Sequence, residues 1–430
     1  MLWTTAIALS LVCAVVSVRL CFPSRPWPPK PLDTAFYVWQ NQWNDGVRSA
    51  VERAAKTTHH FMVSLGEVSV SANGFTFNAA QPDWKVLAES QVKTTIVLRV
   101  GVGLNKLLTA DSFEKSHRYL ASLLNDILAT AKQNGAALTG IQMDYDSPTS
   151  GLAAYRRLMN ALRGDIPGVE WSVTALPTWT KDPDFPALVK DLSYYVLQVH
   201  SLEPPTSIDK PIVLFDPSKT EGYLRRAASI GVPFYVALPT YGYQVAFDEK
   251  GHFIALSAEG PSHAWKPGVQ VRTAMSDPAA IAKTVQQLGA STPPPCIGIA
   301  WFRLPVESDE LNWSWSTLEV VRQGRAPRVA YTAEIRNPSP NLYEIWISNT
   351  GESNVAQKIQ FDVHWQDTRP QVHDLVNEFQ AVKGGPESAL RLAGPAPRQG
   401  KPLMVGWFRF APRDSEVKPP LRSGDVAVTP

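Results

Sequence analysis

The stretch Gly140-Ile141-Gln142-Met143-Asp144-Tyr145-Asp146-Ser147-Pro148 decides the reading of this chain. Apolar and non-apolar residues alternate in it with period two, the pattern of a strand. Ile141, Met143 and Tyr145 share one face; Gly140, Gln142, Asp144 and Asp146 share the other. Two carboxylates thus stand side by side at the strand's C-terminal end, just before Ser-Pro and a helical pattern. In parallel α/β sheets and barrels that end is where ligands bind. Neighbouring acids repel, so one of the two should hold its proton longer than a free Asp. Such a pair can furnish a general acid. A structural reading stands beside this one, with Asp146 capping the next helix and Asp144 bonded to a loop backbone.

Outward from this strand, the chain alternates strand and helix. Strands are read at 35–39, at 60–65 ending near Glu67, and at 95–100, before the quoted stretch. Others follow it at 170–176, 194–200, 234–238 and 297–302. Helical patterns fall at 45–56, 111–134, 151–163, 219–230 and 279–288. Eight β segments of this kind predict an α/β fold, a (β/α)8 TIM barrel over residues 32–325. Asn73-Gly74 marks a hairpin between the second and third strands. An insertion from about Gln244 to Arg272, turning at Asp248-Glu-Lys-Gly251, is read as a small hairpin flap at the rim. From about residue 326 to 412 period-two segments separated by turns predict a C-terminal all-β, sandwich-like module of immunoglobulin type. Residues 413–430, Pro-rich and charged, are expected to be disordered.

The chain of 430 residues is long enough for a large barrel and a smaller module, and its 44% hydrophobic content is ordinary for globular proteins. A net charge of +2 without a basic cluster argues against a nucleic-acid partner. Of three cysteines, Cys13 and Cys21 lie in the N-terminal apolar segment, leaving Cys296 as a small buried residue at a strand start. His59-His60 is no metal pair, because adjacent strand residues face opposite ways. No metal and no cofactor are expected, although Asp144, Asp146 and His200 are the set a metal would use. Leu2 to Val18 carries no charge and Arg19 closes the run. Residues 1–22 are therefore read as a signal peptide or membrane anchor, and the Pro-rich 23–31 as a stiff linker. The expectation is an exported protein, periplasmic and attached to the inner membrane by this segment, or secreted if the leader is cleaved.

Taken together, the strand ends resemble family-18 chitinases. Gly140 to Asp146 falls into register with that family's Asp-Gly-hydrophobic-Asp-hydrophobic-Asp-x-Glu. Ala237-Leu-Pro-Thr-Tyr-Gly242 is similar to its Gly-Leu-Pro-x-Tyr-Gly, Leu98-Arg-Val-Gly101 loosely to its Ser-x-Gly-Gly, and Gly298-Ile-Ala-Trp301 to the strand that supplies a floor tryptophan. The pattern departs from the family where Asp146 replaces the Glu, Gln142 the first Asp, and Val199-His200 the Tyr-Asp pair. The whole chain more closely resembles an uncharacterised bacterial family, domain of unknown function 3142, which brings no established activity.

The resemblance implies a glycoside hydrolase-like protein with a carbohydrate ligand. Asp146 would protonate the leaving oxygen, Asp144 would raise the pKa of Asp146, and Glu67 or Glu203 would be the second acid. Gln142, His200 and Arg303 would be polar contacts. Trp39, Trp43, Trp179, Tyr241 and Trp301 are suited to stacking on sugar rings or to core packing. The alternatives are a non-catalytic, chitinase-like lectin, favoured by the missing Glu, and an envelope scaffold. Neither a nucleophile elbow nor a phosphate-cradling loop with its Lys is present.

Overall fold

The computed structural model describes residues 27–71, 74–109, 111–200, 204–258, 265–355, 358–365, 369–383, 389–412, 421–422 and 426–429. The expected leader, 1–22, and Glu203 lie outside these residues. Among the described residues no helix is long and apolar enough to cross a membrane.

Strand β1 (Asp33–Val38) leads through helix α1 (Asp45–Ala55) to the antiparallel hairpin β2 (His60–Ser71) and β3 (Gly74–Ala79). Then follow α2 (Trp84–Ser90), β4 (Lys93–Val100), α3 (Phe113–Gln133), β5 (Leu138–Tyr145), α4 (Leu152–Asp165), β6 (Glu170–Ala175), α5 (Asp184–Val189), β7 (Tyr194–Gln198), α6 (Pro217–Ile230) and β8 (Phe234–Pro239). The insertion β9 (Gly242–Phe247), β10 (Phe253–Ser257) and β11 (Gln270–Met275) precedes α7 (Pro278–Ala290), β12 (Cys296–Phe302) and α8 (Trp315–Arg322). Eight parallel strands close into a barrel, with β1 paired to both β2 and β12 and β3 added outside β2. Short polar caps start the helices: Asn44, Asp83, Asp216, Asp277 and Ser314 each accept a backbone N–H of the first turn, with Pro after Asp216 and Asp277.

Side-chain parity builds two cores. Phe61, Val63, Ile96, Leu98, Ile141, Met143, Val236 and Leu238 pack outward against the helices. Ala35, Met62, Val97, Val196, Ala237 and Ala300 fill the barrel interior. Below them His60 Nε2 lies 2.8 Å from Thr95 Oγ1, with its ring edge-on to Tyr194 and Tyr235. Burial, helped by Lys93, pulls this imidazole down to about 3, so it is neutral. His59 faces solvent, as the strand parity requires. Cys296 is buried as the first residue of β12.

The insertion is larger than a hairpin. It forms a three-stranded antiparallel sheet in the order β10-β9-β11, because Gln270–Met275 returns along the free edge of β9. The turn lies where the sequence puts it: the Asp248 carboxylate accepts the N–H groups of Lys250 and His252 at 2.9 and 2.8 Å.

Eight further strands follow: β13 (Tyr331–Ser339), β14 (Leu342–Asn349), β15 (Lys358–His364), β16 (Val372–Leu375), β17 (Gln380–Ala381), β18 (Ala389–Pro395), β19 (Leu403–Arg409) and β20 (Val426–Thr429). They form two four-stranded antiparallel sheets, β13-β14-β19-β16 and β17-β18-β15-β20. Ile345, Ile347 and Phe408 of the first share one apolar cluster with Phe361, Val363 and Leu392 of the second. The expected disorder of 413–430 is corrected at its end, since Val426–Thr429 pairs with Gln360–Val363 and buried Leu421 and Val426 join the cluster.

Candidate functional site

The barrel's C-terminal mouth gathers one charged row from three neighbouring strands. Asp144 on β5 lies directly opposite Arg99 on β4, and Arg99 opposite Glu67 on β2. Glu67 reaches this row through a bulge. His60, Met62 and Ser64 face inward by simple alternation, which would turn Glu67 outward. The register instead runs from Ser64↔Val97 to Glu67↔Arg99, three steps on β2 against two on β4. The extra residue re-aims Glu67 into the mouth. Gly66, inside the bulge, has φ +107°, and a Cβ there would lie 2.0 Å from Asn78 O; only glycine fits.

Asp146 extends the row one residue beyond β5. The loop that carries it is pinned: Ser147 N–H donates to Tyr145 O at 2.8 Å and Trp179 Nε1 donates to Ser147 O at 3.1 Å. Neither Asp146 nor Asp144 caps the next helix, whose N-cap Gly151 makes no side-chain bond. The capping role read for Asp146 is thereby overturned.

Arg99 faces all three carboxylates, with Nη1 3.4 Å from Asp144, Nη2 3.9 Å from Asp146 and Nε 3.9 Å from Glu67. The side chains of Arg99, Asp146 and Glu67 are 44, 40 and 46% exposed, that of Asp144 only 10%. Burial pushes the Asp144 carboxyl up to about 6, against the pull of Arg99 and with the push of Asp146. A bond with the Thr174 side chain also engages it. Asp144 therefore holds its proton to higher pH than a free Asp, chiefly because it lies deeper, with the repulsion of Asp146 a smaller cause. Desolvation pulls the Arg99 guanidinium down, yet Asp144, Asp146 and Glu67 together hold it above its ordinary value.

A cavity of about 200 Å³ opens over this row. Its wall is aromatic: Tyr37, Trp39 and Tyr241 all stand edge-on to Phe302, at 5.4, 5.0 and 5.3 Å between ring centres. His200 stacks on Phe302 at 5.5 Å, with Nδ1 3.4 Å from Tyr241 Oη. Burial pulls this imidazole down to about 3, and its Nε2 has no partner among the described residues. Tyr241 Oη is in turn 3.1 Å from Tyr243 Oη. Beyond Asp146 lies a second hollow of about 410 Å³, lined by Val102, Asn105, Thr149, Leu176 and Thr178. Asp146 lines both.

Asp144, Asp146, Glu67, Trp39, His200 and Tyr241 thus converge at the mouth. Four other expected ligand contacts do not. Gln142 is fully buried beneath the cavity, accepting from Tyr37 Oη at 2.6 Å and donating to Ser172 Oγ at 3.3 Å. Trp179 is fully buried against Tyr155 and Phe185, where it holds the Asp146 loop. Arg303 is buried and tied to Asp309, Nε to Oδ2 at 3.0 Å. Trp301 packs outward among the helices, because Ala300 and Phe302 take the inward positions of β12; Phe302 is the floor aromatic. Trp43 likewise belongs to the outer core. Among the described residues no group of three His, Cys, Asp or Glu side chains is placed to hold a metal ion. Arg99, Tyr37, Thr174, Tyr243 and Phe302 were not read as site residues. Arg99 had a signal, a charge at an inward position of an otherwise apolar strand end.

Solved structures of similar fold include a chitinase from Chromobacterium violaceum, 13% identical over 68% of this chain and 99% of that one, with a TM-score of 0.46. The spore cortex-lytic enzyme SleL of Bacillus cereus is 12% identical over 69% of this chain and 73% of that one, with a TM-score of 0.47. The chitinase-like agglutinin RobpsCRA of Robinia pseudoacacia is 14% identical over 67% and 98%, with a TM-score of 0.40. No curated protein matches the sequence. Residues 98–307, a stretch that holds Arg99, Asp144 and Asp146, match the family described as a domain of unknown function, DUF3142.

Proposed function

We propose that the chain is a glycoside hydrolase-like protein that takes a glycan across Asp146. The observation that carries this reading is the placing of Asp146 between an aromatic-walled cavity, of a size for one sugar ring, and a second hollow. A bond lying over Asp146 would have a ring on either side. Asp146, half exposed on the same face, delivers a proton to the glycosidic oxygen and takes one in turn from Asp144, whose carboxyl burial pushes up to about 6. Glu67, across Arg99, is the second acid. Above about pH 6 Asp144 ionises and can no longer return that proton, and the rate falls. Release of reducing ends from polysaccharides tests this. Asp146→Asn should lower kcat by at least about 100-fold, as expected of a lost general acid; unchanged turnover in the Asp144→Asn/Asp146→Asn double variant contradicts the assignment.

One observation favours a second reading, binding without hydrolysis: Arg99 stands among all three acids and favours their ionised forms, which have no proton to give. Calorimetric glycan binding with no reducing ends released on long incubation selects it. The shared apolar cluster of the two C-terminal sheets supports a sandwich-like module. The uncharged run Leu2–Val18 supports export; complete protease protection of a C-terminal tag in spheroplasts contradicts it.

A further inference from the structure

We propose that the mouth is built for a sugar bearing a protonated amine, a hexosamine unit whose nitrogen is free rather than acylated. This rests on the glycan reading above and narrows it. The charge balance comes first. Among the described residues, Glu67, Asp144 and Asp146 pair with a single guanidinium, Arg99. His200 is neutral, and Arg303, the next cation, is buried and bound to Asp309.

The geometry of Arg99 comes second. Two arginines elsewhere in this chain make short, paired bonds to one carboxylate: Arg391 meets Asp362 at 2.7 and 2.8 Å, and Arg325 meets Glu352 at 2.7 and 2.8 Å. Those are the lengths of charge-assisted bonds. At the mouth all three contacts of Arg99 are 3.4–3.9 Å. Each acid therefore keeps acceptor capacity that Arg99 does not use. The third observation is independent of the acids. His200, 4% exposed, lines the cavity and leaves Nε2 without a partner among the described residues. A buried polar atom in that state is one a ligand satisfies.

An ammonium group suits this arrangement. It is a compact charge with three donors and needs acceptors arrayed around it, not a planar fork. An acylated nitrogen offers one neutral donor and leaves the excess carboxylate uncompensated. A uronate would place a fourth carboxylate beside the three of this row, and like charges there are repelled.

Titration calorimetry of the full chain near pH 7 with three tetramers tests the proposal: glucosamine, N-acetylglucosamine and galacturonate. The glucosamine tetramer should bind about tenfold more tightly than the acetylated one, the scale of one charge-assisted bond. That preference should shrink as salt rises from about 0.05 to 0.5 M. Glu67→Gln, checked for folding by its melting curve, should reduce the preference several-fold. Equal or tighter binding of the acetylated tetramer, a preference unmoved by salt, or preferential uronate binding overturns the inference and leaves the glycan reading standing. Failure of all three to bind overturns both.

Discussion

Asp144 is the residue at which folding and chemistry conflict. Its carboxyl is 8% exposed as a residue, and desolvation outweighs the nearby Arg99. A folded value of about 6 against an ordinary 3.8 means that the folded state binds this proton more tightly than the unfolded chain does. No penalty exists below about pH 4. It grows as pH rises through the folded value and reaches about 3 kcal/mol at neutrality, at roughly 1.4 kcal/mol per pH unit. Asp144→Asn keeps the shape without the buried charge. It should therefore raise the melting temperature at pH 7 to 8 by the equivalent of about 1–3 kcal/mol, with the gain vanishing near pH 4. Thermal denaturation across that range checks it; a gain independent of pH contradicts the assignment. The acid pair itself was legible from alternation along a single strand. Which member keeps the proton was not, because depth depends on Thr174 and Arg99, which other strands supply.

At the scale of elements, the bulge in β2 decides whether the mouth has two acids or three. The frame of strands was readable because eight apolar runs keep period two and the helices carry their caps in the sequence. The bulge was not, since one extra residue is visible only against the partner strand; Gly66 was its sole local mark. Trp301 shows the same limit, for its parity against Phe302 is fixed by pairing with β8 and β1. Gly66→Ala tests the bulge directly. A Cβ would meet the Asn78 carbonyl at 2.0 Å, whereas at Gly74, with a similar φ of +114°, it would meet nothing within 4 Å. Both substitutions strain the backbone by about 1–3 kcal/mol. Only Gly66→Ala also displaces the β2–β3 pairing and Glu67. It should melt several degrees below Gly74→Ala and lose glycan affinity, while Gly74→Ala keeps it. Equal behaviour of the two variants would mean that the bulge does not position Glu67.

Over the whole molecule, the question is whether the barrel and the C-terminal sheets stand or fall together. Helix α8 packs on the barrel by burying Leu318 and Val321 in its outer core. The segment following β14 holds the same helix from the other side. Ser314 N–H donates to Asn354 Oδ1 at 2.8 Å, Thr317 Oγ1 donates to Glu352 O at 2.6 Å, and Arg325 clasps the Glu352 carboxylate at 2.7 and 2.8 Å. Arg398 adds an ion pair to Glu310 on the loop that leaves β12, at 3.1 Å. Exposed ion pairs of this kind contribute little singly. The bonds to Ser314 and Thr317, however, fix the first turn of a helix that packs on the barrel's outer core. Loss of the sheets would remove those bonds and let α8 fray, so the two parts should unfold as one cooperative unit. Scanning calorimetry of the full chain should give a single transition. A chain ending at Arg325 should melt at least several degrees lower and expose apolar surface to a hydrophobic dye. Two separated transitions in the full chain, or an unchanged melting temperature in the shortened one, would show that the sheets are appended to the barrel without supporting it.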